Sequence, residues 1–192
     1  FRSPDMLYGS VVRSKYARAK IISIDTAEAE KLDGVACVLT AKDIPGAKKT
    51  GHIKKDWDVL IEEGEITHYA GDAVVLIAAK TQQIANRAKQ LVKVTCEELP
   101  GVFSPSDACR EDAILVHGKT SDSNLLVREH LVRGDADAAL AGSKYVVTNH
   151  YSVPFTEHAF LEPECCVAVT DKEKKQVTIY SSDQGTYDTQ RE

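Results

Sequence analysis

Residues 73–79 read Ala-Val-Val-Leu-Ile-Ala-Ala, an unbroken apolar run set between Gly71-Asp72 and Lys80-Thr81. A run this short cannot cross a bilayer, which takes about 20 apolar residues. Its branched side chains and the turn residues at its border predict a buried strand. From Thr81 the period changes. Ile84, Ala85, Ala88, Leu91 and Val92 recur at helical spacing and predict a helix with one buried face. Val92, Val94 and Cys96 then alternate, so the helix runs into another strand. Strand, helix and strand in quick succession call for an α/β or α+β sheet layer.

The flanking sequence is consistent with such a layer. Leu7–Val12 and Ala19–Ile24 predict strands. Asp25 and Glu28 fit a capping box, Thr26–Leu32 a short helix, and Gly34 its stop. Val35–Leu39 predicts a short strand, and Thr40 caps one turn that Pro45 ends. Residues 46–64 are polar and irregular, with Trp57 as the one large anchor. Residues 111–124 predict a surface connection and a domain boundary. Beyond it, Asp135 caps a helix over Ala136–Ala141. Tyr145, Val147, Tyr151 and Val153 lie on one side of a period-2 pattern. Val167 and Val169, a charged turn at Asp171–Lys175, then Val177 and Ile179 predict a β-hairpin.

Composition narrows the function classes. The chain has 24 Lys+Arg against 29 Asp+Glu, a formal charge of −5, with no basic cluster. That balance offers no electrostatic reason to bind nucleic acid. No segment predicts a membrane span or a signal peptide. Five cysteines, an odd and scattered set without a Cys-x-x-Cys pair, argue against a disulfide framework, a zinc ribbon or an iron–sulfur site. A reducing, cytoplasmic setting is the expectation.

Few residues offer chemistry by themselves. Glu157-His158 with Glu162, Glu164, Cys165 and Cys166 gathers metal-ligand types. A small metal site of Glu157, His158 and Cys166 is one reading; small core thiols and charges at strand ends are the plainer one. Gly71-Asp72 and Gly134-Asp135 read first as a turn and a helix cap. His52, His68, His117, His130 and His150 stand singly. No nucleophile motif and no phosphate-binding glycine loop occurs. No residue of the chain is nominated as catalytic.

Several segments in order add a family resemblance. The run Met6–Ser14, then Ala17-Arg18-Ala19-Lys20-Ile21 and Ser23-Ile24-Asp25, resembles the opening of the large subunit of molybdenum hydroxylases, the xanthine dehydrogenase and aldehyde oxidase family. Asp33-Gly34-Val35, Val38–Pro45, Tyr69–Val74 and Val94–Pro100 continue the pattern. Asp72 stands where the family usually has Glu or Gln. Further on, Gly134–Ala139, Glu157–Pro163 and Ser181-Ser182-Asp183-Gln184-Gly185 are similar to later family motifs, Asp183 replacing the usual Thr.

The resemblance implies an α+β chain. An α/β hammerhead domain is expected over residues 1–103, a linker over 104–127, and the first strands of a molybdopterin-binding domain over 128–192. In the family the glutamine of the late turn lies beside the molybdenum and hydrogen-bonds its oxo ligand. Here that position is Gln184, expected both at the cofactor and at the metal. The family's Gly-Phe-Gly-Gly loop and catalytic glutamate do not occur in these 192 residues. The expectation is therefore the N-terminal part of a molybdenum-binding subunit, inactive and cofactor-free alone. Iron–sulfur clusters and FAD would sit on other domains or subunits of an oligomer. The implied reaction is hydroxylation of a purine, another N-heterocycle or an aldehyde, with xanthine favoured. A module for subunit assembly, without its own cofactor, is the alternative.

Overall fold

The computed structural model describes residues 2–116, 118, 121–161 and 164–191. They form two compact units, one of Phe1–Asn124 with Gly185–Glu192 and one of Leu125–Gln184.

The apolar run is the central strand of the first unit. β1 (Tyr8–Arg13), β3 (Val35–Leu39) and β6 (Ala73–Ala79) form a sheet in the order β1-β6-β3, antiparallel throughout. Val11 faces Leu76 in the register, and Val38 faces Ile77. Helix α2 (Gln82–Leu91) follows β6. It is capped by the Thr81 hydroxyl, which accepts from Ile84 N–H at 3.2 Å. β2 (Ala19–Asp25) and β7 (Lys93–Glu98) form a second antiparallel pair. The all-antiparallel pairing settles the class as α+β.

One core joins the two sheets. Ile21, Ala29, Ile61, Val74, Val75, Ile77 and Ala88 are buried together, with Val12, Leu32, Val38, Leu91 and Val94 packed around them. Residues 61–67 link the two sheets through backbone hydrogen bonds. Ile61 N–H donates to Ala73 O (2.8 Å), Ile21 N–H to Glu65 O (2.9 Å) and Thr67 N–H to Ala19 O (2.9 Å). The Thr67 hydroxyl closes the set by accepting from Ala19 N–H.

Gly34 sits at φ +87°, and a Cβ there would lie 2.7 Å from Ile84 Cδ1. Backbone conformation and close packing both require glycine at this stop. The box expected at Asp25 and Glu28 is only half formed. Asp25 accepts from Ala27 N–H at the start of α1 (Ala27–Glu30), but Glu28 pairs with Lys31 at 3.1 Å. A helix of four residues places a cation within easy reach of Glu28, and the ion pair takes it. A reciprocal box occurs instead after β3: the Asp43 carboxylate accepts from Thr40 N–H at 2.7 Å and from its hydroxyl at 2.9 Å.

Residues 46–64 also depart from the expectation of irregular chain. β4 (Lys49–Thr50) pairs with β5 (Trp57–Asp58), locked by a Lys49–Asp58 ion pair at 2.9 Å. Trp57 is no buried anchor. It stays 54% exposed, its ring against Tyr69 at 5.2 Å between centroids.

After β7, α3 (Pro105–Ala108) starts at the Ser104 cap. Asn124 then ties residues 108–116 together. Its amide donates to Ala108 O (3.0 Å) and Ile114 O (2.8 Å), and its carbonyl accepts from Val116 N–H (2.7 Å).

The second unit contains α4 (Ala136–Gly142), capped by Asp135, and a hairpin of β8 (Cys166–Asp171) and β9 (Gln176–Ser181). The strand expected over Tyr145–Val153 is not formed. Period 2 fixes which side chains share a face but supplies no partner, and none of the described strands pairs with it. Its apolar residues stay exposed, Val153 at 89%. All five cysteines are thiols, and burial pushes the Cys96 thiol up. Among the described residues no helix is long and apolar enough to cross a membrane.

Candidate functional site

Gln184 follows the hairpin. β8 and β9 hold an unbroken register from Cys166↔Ser181 to Asp171↔Gln176. At the tip the Asp171 carboxylate accepts from Lys174 N–H at 3.0 Å, and Lys175 takes the left-handed conformation at φ 51°. Past β9, Ser182 N–H donates to Cys165 O at 3.2 Å and carries the pairing one step further. Asp183 and Gln184 then stand exposed. Among the described residues the Gln184 amide has no hydrogen-bond partner. It can donate to an oxygen acceptor without bringing a charge.

The first unit holds a different cluster, at the turn before β6. Asp72 is 2% exposed. Its Oδ2 accepts from His68 N–H at 2.6 Å and Tyr69 N–H at 3.3 Å, an Asx-type closure of the turn. The backbone of the same turn grips the end of β1. Ser14 N–H donates to Asp72 O and Gly71 N–H to Ser14 O, each at 2.8 Å. His68 Nδ1 lies 3.7 Å from Asp72 Oδ2 and 3.8 Å from Asp58 Oδ2, bridging the turn and β5. Asp72, as hydrogen-bond partner first, holds the imidazole above its ordinary value. Burial opposes this, the charges of Asp72 and Asp58 add to it, and Lys49 opposes it weakly. At 3.7 Å the contact is an ion pair rather than a short hydrogen bond.

Family models match the chain in two pieces. Residues 1–100 match the aldehyde oxidase and xanthine dehydrogenase a/b hammerhead domain, and residues 116–192 the molybdopterin cofactor-binding domain. The chain belongs to the aldehyde oxidase and xanthine dehydrogenase family. Among this family's members, a probable xanthine dehydrogenase subunit from Bacillus subtilis is 38% identical over 96% of this chain and 24% of its own length. A nicotinate dehydrogenase large molybdopterin subunit of Eubacterium barkeri is 36% identical over 96% of this chain and 42% of its own. The aldehyde oxidoreductase structure from Desulfovibrio gigas superposes with a TM-score of 0.81 at 29% identity, over 94% of this chain and 20% of that one. The chain thus spans less than half the length of these relatives.

Within this chain, the other residues singled out by the sequence do not converge. The Glu157 carboxylate accepts from the backbone N–H of His158 at 2.9 Å, and the His158 ring stacks on Phe160 at 5.4 Å. Cys166 begins β8. Glu162 and His117 lie outside the described residues. Among the described residues no three His, Cys, Asp or Glu side chains gather in a way that could hold a metal. His52 instead lies near Asp188 and Arg191.

The pairing of His68 with Asp58 went unread in the sequence. The Tyr69-Ala-Gly-Asp72 turn was legible, but nothing in the residue spacing announces that β5 folds back to bring Asp58 beside it. The bridge has a testable pH signature. The folded-state pKa of His68 is raised, so its contribution is full below the unfolded value of about 6.5 and fades as pH rises through the folded value. His68→Gln is expected to destabilise the protein by up to about 1 kcal/mol at acidic pH, since the ring is partly exposed, and by less at alkaline pH. Thermal melts of both forms across pH 5–9 check this. A loss that does not change with pH would contradict the bridge.

Proposed function

We propose that the protein carrying this chain is a xanthine dehydrogenase-type molybdenum hydroxylase, acting on a purine or a related N-heterocycle. In this reading the chain supplies the hammerhead domain (1–103), a linker (104–127) and the opening of the molybdopterin-binding domain (128–192). The observation that carries the reading is the ordered match of both family models to one chain. The Bacillus relative named for xanthine dehydrogenase favours xanthine, and the nicotinate and aldehyde relatives bound the alternatives.

Gln184 is the residue of this chain we place at the cofactor. Its amide is exposed and has no protein partner among the described residues, which fits a side chain kept for a bound group. When bound, the molybdenum cofactor supplies the two-electron oxidation that the hydroxylation needs. The Gln184 amide would donate a hydrogen bond to an oxygen at the metal and orient the group, leaving the net charge unchanged. The hairpin fixes where its backbone stands. The glutamate base belongs to a segment outside these residues, and the electrons leave through iron–sulfur and flavin centres on partner subunits or domains. We place the assembly in the cytoplasm.

The second unit supports a role in assembly as well. Leu131 is 97% exposed and Leu161 94%. Such side chains suit a surface that the rest of the cofactor-binding domain or a partner subunit covers.

The test is purification of the full protein, metal analysis, and turnover of xanthine, nicotinate and benzaldehyde with an artificial electron acceptor. Stoichiometric molybdenum and fastest turnover of xanthine are expected. Metal-free protein that oxidises none of the three would overturn the proposal.

A further inference from the structure

The first unit contains a cleft of about 350 Å³. Four segments meet around it: residues 17–18, residues 66–70, residues 101–103, and Leu115 and Val116 with Gly118. Its volume falls within the range of small-molecule sites. The walls are mostly apolar, with Ile66, Phe103 and Leu115 among them, and Tyr69 adds a second ring.

Charge distinguishes the cleft from the surface around it. The chain as a whole is acidic, yet no carboxylate lines this cleft among the described residues. Among the described residues, Arg18 is the permanently charged side chain on its wall. Arg18 donates from Nη1 to Pro100 O at 3.3 Å and has no carboxylate partner among the described residues. Lys42, Lys48 and Lys49 each hold one at 2.8–2.9 Å. A guanidinium carries five N–H donors in a planar fork, so most of the Arg18 donors remain for an anion. His68 also lines the cleft, its Nδ1 turned to the carboxylates of Asp72 and Asp58.

The aromatic wall points the same way. Phe103 is 80% exposed, a large ring left in water at the rim. Gly101 permits its position, because a Cβ there would come within 2.8 Å of Phe103 Cζ. A flat apolar body lying against this ring would cover it.

We propose that this cleft binds a small aromatic carboxylate. Arg18 takes the carboxylate, and the Phe103 and Tyr69 rings flank the apolar body. The proposal does not depend on the redox assignment.

The probe is naphthalene-2-carboxylate, titrated calorimetrically into the full protein beside its uncharged analogue naphthalene-2-methanol. The carboxylate is expected to bind at millimolar concentrations or below, and the alcohol about tenfold more weakly. Arg18→Gln is expected to weaken the carboxylate about tenfold and leave the alcohol unchanged. Phe103→Ala, a change at an exposed side chain that leaves the fold in place, is expected to weaken both. Absence of carboxylate binding at millimolar concentrations would overturn the proposal. So would equal affinity for the alcohol, or carboxylate affinity unchanged in both variants.

Discussion

Asp72→Ala is expected to destabilise the hammerhead by about 2–4 kcal/mol. The carboxylate is almost wholly buried and accepts two backbone N–H groups, those of His68 and Tyr69. Alanine leaves both donors without their acceptor and removes one arm of the His68 bridge. A hydrogen bond to a charged group contributes about 1.5–3 kcal/mol, and an unsatisfied donor costs in the same range. The effect reaches beyond the turn, since its backbone also binds Ser14 at the end of β1. Asp72→Asn keeps one accepting oxygen and the shape, so its loss should be smaller. Hydrogen exchange at the 68–72 amides in the full protein is the readout. Protection in the alanine variant equal to wild type would show that the carboxylate does not hold the turn.

The parts of this fold that were legible in the sequence are those with length and period. β6, α2 and β7 follow from one apolar run, one helical stripe and one alternation, each long enough to outvote its neighbours. β4 and β5 were not legible, because strands of two residues carry no period. Tyr145–Val153 shows the converse: the alternation is real, but a strand also needs a partner. The cleft was out of reach for another reason. Its walls come from four separate segments of the chain, and nothing local brings Arg18 and Phe103 to one cleft.

The candidate cofactor residue is a sharper case. Locally, Gln184 is a polar residue in a turn after a strand, and its exposure alone would not separate it from any other such residue. Only the ordered resemblance across the chain nominates it. The structure adds that the amide has no protein partner among the described residues and that the hairpin before it is regular.

The strongest functional effect is expected at that residue. A preorganised donor aimed at charge that develops in the transition state contributes about 100–1000-fold to turnover at other sites. A neutral amide beside a metal that already carries much of the charge should contribute less. Gln184→Ala is therefore expected to lower kcat by about 10–100-fold. The side chain packs against nothing that the fold needs, so melting temperature should stay unchanged. On the proposed placement KM should move little, because the lost bond would go to the reacting centre rather than to the bound heterocycle.

The direct measurement is kcat for xanthine in the molybdenum-loaded full enzyme, wild type against Gln184→Ala, with metal content determined on the same samples. The account predicts a kcat reduced at least about tenfold at equal molybdenum content and equal thermal stability. Wild-type kcat in a fully loaded variant would contradict the placement of Gln184 at the metal.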